Sequence, residues 1–194
     1  MKQDIILCGV GGQGILSIAT VIGWAALDQN LYLKQAEVHG MSQRGGDVQS
    51  NLRLSSSPIN SDLIPRGQCD IIVSLEPMEA LRYLPYLAPN GWIITNVTPF
   101  VNIPNYPAIE DINAELKAAG NVISIDADAI AKQVQSPRSA NMVLLGAMAS
   151  RMDILKPEML IDGIANVFAR KGQQIVDTNV AAFRAGYDFA QANL

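Results

Sequence analysis

Residues 4–15 read DIILCGVGGQGI, a short apolar run followed at once by a cluster of glycines. The apolar run predicts a buried strand, and the apolar spacing of residues 15–26 predicts a helix directly after the glycines. Gly9, Gly11 and Gly14 match G-x-G-x-x-G spacing between a strand and a helix, which is the setting that this fingerprint requires. The stretch therefore predicts an α/β fold that begins with a strand, a glycine loop and a helix.

The rest of the chain repeats this alternation. Apolar runs predict further strands at residues 31–38, 48–54, 70–75, 92–97 and 122–125, and residues 48–54 alternate as a half-buried strand does. Helices are predicted from Pro77 to about Pro85, then over residues 111–119, 126–134, 140–151, 157–170 and 175–193. Residues 98–107 predict a proline-rich surface connection.

Strands that alternate with helices favour parallel pairing and a sheet covered on both faces. We therefore predict a three-layer α/β/α fold with a mostly parallel, Rossmann-like sheet and the C-terminal helices packed on it. The 194 residues are expected to form a single domain, 1–194.

The composition excludes several functional classes. Lys and Arg number 14 against 18 Asp and Glu, which argues against a nucleic-acid partner. No apolar run is long enough to cross a membrane, and two isolated cysteines fit a reducing compartment, so a cytoplasmic location is expected. Charged residues make up only 16%, below the roughly 25% of typical soluble domains, which suggests a surface covered by a partner.

The first glycine loop predicts a site for a phosphate-bearing ligand. Gly11, Gly12 and Gly14 allow a backbone to approach an anion closely, and the helix that follows adds its positive end. Gln13 belongs to the same predicted cofactor-binding set. Glu37 is the acidic residue that a dinucleotide site would need at the end of the second strand. The alternative is a tight turn whose glycines serve packing alone.

A second loop, residues 37–46 with the sequence EVHGMSQRGG, follows the second predicted strand. In doubly wound folds such a loop lies on the same edge of the sheet as the first. Arg44 offers a planar fork to carboxylate or phosphate. The other predicted cofactor-binding residues here are Ser42, Gln43, Gly45 and Gly46.

His39 is the only histidine, and it could transfer protons near neutral pH. No partner base accompanies it, so a hydrogen-bonding scaffold is the alternative, and no catalytic residue is assigned with assurance. Asn141 is either a cap at a helix start or a ligand contact, and it joins the predicted cofactor-binding set. Two cysteines and one histidine cannot by themselves hold zinc or an iron–sulfur cluster, so no metal ligands are assigned.

Taken together, these motifs resemble the gamma-type subunits of the 2-oxoacid:ferredoxin oxidoreductases. The resemblance rests on residues 9–15 and 37–46, and it continues through residues 74–83 and from Asn141 to Gly146. It covers nearly the whole chain. Within the family it is strongest to the beta, or small, subunits that act on indolepyruvate.

The resemblance implies one subunit of an enzyme that oxidatively decarboxylates indolepyruvate or a related 2-oxoacid to acyl-CoA and reduces ferredoxin. It implies a large partner subunit carrying thiamine diphosphate with Mg and [4Fe-4S] clusters, with coenzyme A as acyl acceptor and no cofactor bound by this chain alone. Two alternatives stay open: a free-standing NAD- or FAD-binding oxidoreductase, and a purely structural subunit. Whether the isolated chain forms a homodimer also stays open.

Overall fold

The computed structural model describes residues 1–39 and 45–193. In this part of the chain six strands form one sheet in the order β2-β3-β1-β4-β5-β6. The strands are β1 (Lys2–Val10), β2 (Tyr32–His39), β3 (Asp47–Ser55), β4 (Cys69–Ser74), β5 (Leu87–Asn96) and β6 (Asn121–Ile125). The helices are α1 (Ile15–Asp28), α2 (Pro77–Arg82), α3 (Ile109–Ala118), α4 (Ala127–Gln133), α5 (Ala140–Ala149), α6 (Pro157–Phe168) and α7 (Gln173–Ala192).

The sheet is mixed, with five strands running one way. β1, β4, β5 and β6 pair in parallel, whereas β3 runs antiparallel to both β1 and β2. One face packs against α1, α4, α5, α6 and α7, and the other packs against α2 and α3. The predicted three-layer α/β/α architecture, the mostly parallel sheet and the packing of the C-terminal helices are confirmed.

The expectation of parallel pairing is wrong at β3. This strand lies between β1 and β2 and pairs antiparallel with both. Only residues 40–46 connect β2 to β3, whereas a crossover between neighbouring parallel strands needs about a dozen residues or more. The short connection therefore requires antiparallel pairing.

The expectation of a half-buried β3 is also wrong, because both faces are buried from Ser50 onward. Arg53 lies under the surface, where its Nε and Nη2 donate to the Asp4 carboxylate at 2.9 and 3.1 Å. Its Nη1 donates to the carbonyls of Ser61 and Leu63. A buried charge is tolerated when it is paired and hydrogen-bonded, and Arg53 is ion-paired and bonded through all three of its nitrogens.

Local signals in the sequence account for several helix boundaries. Pro77 occupies the first turn of α2, and the Asp126 carboxylate accepts a hydrogen bond from the Ala129 N–H at 2.8 Å at the start of α4. Gly120 follows α3 with a φ of 112°, which favours glycine. Within the described residues, no helix combines the length and apolarity needed to cross a membrane.

The backbones of α5 and α7 approach each other closely. A Cβ on Gly146 would lie 1.9 Å from the Phe183 carbonyl oxygen, and a Cβ on Gly186 would lie 1.9 Å from that of Val143. The two backbones therefore touch at these glycines. This contact fixes α5, and the start of α5 in turn supports the glycine loop.

Candidate functional site

The glycine loop ends in the first turn of α1. Gly14 is the residue before the helix, with a φ of 90°, and it offers no side chain to cap the helix. The first N–H groups of a helix have no acceptor within it, and the first turn of α1 carries no acidic residue. This end of α1 therefore presents free donors and a positive dipole to an incoming anion.

The Gln13 side chain bridges two strand ends. Its Oε1 accepts from the Val10 N–H at 2.7 Å, and its Nε2 donates to the Leu75 carbonyl at 3.2 Å. β1 and β4 are neighbours at the point where the chain turns to opposite sides of the sheet, which is where doubly wound folds usually hold their ligand. The Gln13 amide spans these two strand ends. A ligand contact of Gln13 stays a prediction.

Asn141 supports the loop from α5. Its Nδ2 donates to the Gly14 carbonyl at 3.2 Å, and its Oδ1 accepts from the Met142 N–H. α5 begins at Ala140 with Ser139 as the residue before it, so Asn141 does not occupy the cap position. A Cβ on Gly14 would lie 2.6 Å from this Nδ2, so the Asn141 amide would have to move, and the φ of 90° itself favours glycine there. The predicted contact of Asn141 with a cofactor stays a prediction.

A cleft of about 360 Å³ opens beside the glycine loop. The loop forms one wall, and Glu37 and His39 at the end of β2 form the other. The lining residues are Val10, Gly11, Gly12, Gly14, Ile15, Leu16, Glu37, His39 and Val48. The end of β2 and the glycine loop therefore share one edge of the sheet, as predicted, although β3 separates Glu37 from β1.

His39 lies at the rim of this cleft. Its Nε2 is 4.0 Å from Glu37 Oε1, and its side chain is 58% exposed. This separation is the limit of an ion pair and too long for a hydrogen bond. Neither proton transfer nor a scaffold role is tested by this placement, so both interpretations stay predictions.

The last two residues of the second loop, Gly45 and Gly46, accept hydrogen bonds from two other segments through their backbone carbonyls. The Gly46 carbonyl accepts from the Gly11 N–H at 2.8 Å, which joins the two loops. The Gly45 carbonyl accepts from Asn102 Nδ2 at 2.7 Å. Ser42, Gln43 and Arg44 lie outside the described residues, so their binding roles stay predictions.

A third segment, residues 97–108, joins the same edge, and the sequence predicted it only as a surface connection. Its anchor is the buried Glu76, whose carboxylate accepts from the Phe100 N–H at 3.2 Å and from the Tyr106 hydroxyl. Burial raises the pKa of Tyr106, and the hydrogen bond to Glu76 raises it further. The anchored segment presents Phe100, Val101 and Ile103 to solvent.

The two cysteine thiols are buried and do not line the cleft. Cys8 and Cys69 are both buried, as predicted. Burial raises the pKa of Cys69 to about 12 and raises that of Cys8 as well, so both stay protonated and unreactive. Among residues 1–39 and 45–193, no three His, Cys, Asp or Glu side chains lie close enough together to hold a metal ion.

The chain is similar to known proteins over almost its whole length. A family model described as pyruvate ferredoxin/flavodoxin oxidoreductase matches residues 4–189. The indolepyruvate oxidoreductase subunit IorB of Methanothermobacter thermautotrophicus is 35% identical over 98% of each chain. The 2-oxoglutarate synthase subunit KorC of Methanocaldococcus jannaschii is 27% identical over 98% of this chain and 95% of that one.

The fold has a counterpart among solved structures. The gamma subunit of a keto/oxoacid ferredoxin oxidoreductase from Geobacter sulfurreducens superposes with a TM-score of 0.72. The two chains are 24% identical, and the match covers 98% of this chain and 99% of the other. This likeness agrees with the three-layer architecture described above.

Proposed function

Because the chain belongs to the pyruvate ferredoxin/flavodoxin oxidoreductase family, we propose that it is the small subunit of an enzyme that oxidises an aryl-substituted 2-oxoacid of the indolepyruvate type. The substrate loses carbon dioxide, its acyl group passes to coenzyme A, and two electrons pass to ferredoxin. The observation that carries this proposal is the full-length similarity to an indolepyruvate subunit at 35% identity, against 27% for a 2-oxoglutarate subunit.

The edge that carries the glycine loop is where this subunit would meet the large one. Besides the cleft, this edge presents a set of exposed apolar side chains from three separate segments. They are Leu16, Val38, Phe100, Val101 and Ile103. Apolar side chains grouped around a cleft mark interaction sites, and a covered edge also explains the low content of charged residues.

The cleft is suited to a phosphate group of a cofactor held between the two subunits. Thiamine diphosphate, which supplies the carbanion that attacks the 2-oxo carbon, and coenzyme A both carry a diphosphate. The N–H groups at the start of α1 would donate to it. Gly12 has a φ of 105° and no atom within 4 Å of its Cβ position, so it leaves room for the ligand. We expect Arg44 to neutralise part of the charge.

A free-standing dinucleotide oxidoreductase is the weaker interpretation. Its ligand would lie between the ends of β1 and β4, which the Gln13 amide joins through two hydrogen bonds to the backbone. Its acidic ribose contact would be Glu37, which stands two strands from β1. Two strand spacings are about 10 Å, whereas the fingerprint relies on adjacent strands.

The proposal is tested by reconstitution. This chain, tagged, is co-expressed anaerobically with a large subunit from the same genome, and the purified complex is assayed for dye reduction with indolepyruvate, pyruvate and 2-oxoglutarate. We expect a brown complex that is most active with indolepyruvate and inactive without this chain. A complex that prefers pyruvate or 2-oxoglutarate contradicts the substrate. An isolated chain that assembles with nothing and binds NADH tightly contradicts the function.

Two leucines of α1 provide a matched pair for the docking edge. Leu16 and Leu27 are both exposed, but they lie at opposite ends of the helix and therefore at opposite edges of the sheet. Leu16→Asp should prevent co-purification with the large subunit, because a charge would be buried at the interface. Leu27→Asp should assemble normally. Equal assembly of the two variants would exclude this edge as the interface.

A further inference from the structure

A second cavity, of about 470 Å³, lies at the opposite edge of the sheet, where β1, β4 and β5 begin and α5 ends. Its walls include Lys2 and Gln3 from β1, Asp70 from β4, Trp92 from β5, and Arg151 and Asp153 after α5. None of these residues belongs to the glycine-loop cleft. The proposed function therefore gives this cavity no role.

The Arg151 guanidinium lies over a tryptophan ring, and two of its nitrogens have no hydrogen-bond partner within residues 1–39 and 45–193. Its central carbon lies over the Trp92 ring, 4.2 Å from the ring centroid, in a cation–π contact. Its Nε and Nη2 are shielded from solvent and have no acceptor among residues 1–39 and 45–193. These two nitrogens form one edge of the guanidinium fork, the edge that binds a carboxylate with two parallel hydrogen bonds.

In the part of the chain that the structure describes, Gln3 has an unpaired acceptor, whereas Arg151 has unpaired donors. Its side chain is almost fully buried, and its Nε2 donates to the Arg151 carbonyl at 3.3 Å. Its Oε1 is buried and has no donor within the described chain. Buried polar atoms are nearly always paired, so the cavity wall lacks both an acceptor for Arg151 and a donor for Gln3.

The charged side chains that line the cavity have a formal net charge of zero, two positive and two negative. Lys2 and Arg151 are positive, whereas Asp70 and Asp153 are negative. Lys2 is already paired, with its Nζ 2.7 Å from Asp4 Oδ2. Burial raises the pKa of Asp70, and the nearby Asp4 and Asp153 raise it further, although the Asp4 N–H bond and Lys2 oppose this. A cation beside Asp70 would relieve this burial cost, and a balanced wall suits a ligand that carries both charges.

We infer that this cavity binds a free α-amino acid. The carboxylate of the ligand bonds to the Nε and Nη2 edge of Arg151, and the side chain must rotate for this because both nitrogens are shielded from the cavity in this structure. The ammonium donates to Gln3 Oε1 and faces Asp70. The cavity volume lies within the roughly 300–1,000 Å³ of small-molecule sites, and the exposed part of Trp92 offers an apolar surface to the side chain of the amino acid.

The test uses the purified full-length chain and isothermal titration with glycine, L-leucine, L-phenylalanine and L-glutamate. We expect saturable binding of at least one of them, with a dissociation constant near or below about 1 mM. Arg151→Lys keeps the charge but loses the planar fork, and it should weaken binding about tenfold or more. Arg66→Ala, which changes an exposed arginine elsewhere, should bind as the unchanged chain does.

Two ligand analogues test whether the cavity binds both the carboxylate and the ammonium of the amino acid. For L-phenylalanine these are phenethylamine, which lacks the carboxylate, and 3-phenylpropanoate, which lacks the ammonium. Both should bind at least about tenfold more weakly than the amino acid. Failure of all four amino acids to bind at about 10 mM overturns the inference, as does an analogue that binds equally well. Neither result bears on the glycine-loop cleft, since the two sites share no residue.

Discussion

Gly146 and Gly186 face the backbone of a neighbouring helix, whereas Gly12 and Gly45 face open space. A Cβ on either of the first two would lie 1.9 Å from a carbonyl oxygen, but a Cβ on either of the last two meets nothing within 4 Å. The last two instead have φ values of 105° and 80°. Glycine therefore allows two backbones to touch in the α5–α7 contact, while at the loop edge it sets the chain direction and leaves room for a ligand.

The largest expected effect belongs to the packed pair. Gly146→Ala forces a methyl group into the Phe183 carbonyl, so α5 and α7 must separate. We expect the free energy of unfolding to fall by about 3 kcal/mol or more, measured by urea denaturation. Gly120→Ala is the control, because its Cβ would meet no atom within 4 Å and only the positive φ of 112° opposes the substitution. Equal losses in the two variants would show that the contact is less tight than described.

The next effect concerns the bridge that holds the loop. Gln13→Leu leaves the Val10 N–H and the Leu75 carbonyl without their partner, which should cost about 2 kcal/mol of unfolding free energy. Gln133→Leu, on the exposed side of α4, should cost little. If the two substitutions cost the same, the Gln13 amide does not fasten the ends of β1 and β4.

Gly12→Ala separates stability from function. The positive φ should cost only about 1 kcal/mol of unfolding free energy. The new methyl group points into the space that the proposed phosphate needs, so dye reduction by the assembled enzyme should fall much further. Gly120→Ala has the same backbone cost away from the cleft and should keep full activity. Full activity of Gly12→Ala would mean that this space is not occupied by a ligand.

The smallest effect is expected for Tyr106→Phe, which removes one of the hydrogen bonds that Glu76 accepts from residues 97–108. The loss should be about 1 kcal/mol near pH 7. Because folding raises the pKa of Tyr106, the hydroxyl stabilises the fold below its ordinary pKa and loses this contribution as the pH rises through the folded value. Unfolding at pH 7 and in strongly alkaline buffer checks this. If the parent's advantage in unfolding free energy over the Tyr106→Phe variant grows with pH, this explanation is contradicted.

The sequence predicted the strands and the shared edge well because both depend on local patterns. Apolar runs mark the strands, and the carboxyl ends of parallel strands always meet at one edge. The antiparallel β3 could also have been predicted, because residues 40–46 are too few for a crossover. The close contact at Gly146 and Gly186 could be predicted only in part: both glycines lie inside predicted helices, which indicates a packing role, but the sequence does not say which helices meet there.

The roles of polar side chains were harder to predict. Gln13 and Asn141 were predicted as ligand contacts, and the structure shows their amides bonded to the backbone of the loop itself. Arg53 looked solvent-exposed because it alternates with apolar residues, yet its partner Asp4 is distant in sequence. Glu76 gave no sign that it anchors Phe100 and Tyr106, because both lie more than twenty residues away.

The central claim is that the glycine-loop edge faces the large subunit, and amide hydrogen exchange tests it most directly. Exchange is measured on the isolated chain and on the chain in the assembled complex. We expect new protection in peptides that cover residues 9–17 and 97–106, and unchanged exchange at the C-terminal end of α1. Protection confined to the opposite edge, with unchanged exchange in residues 9–17, would contradict the claim.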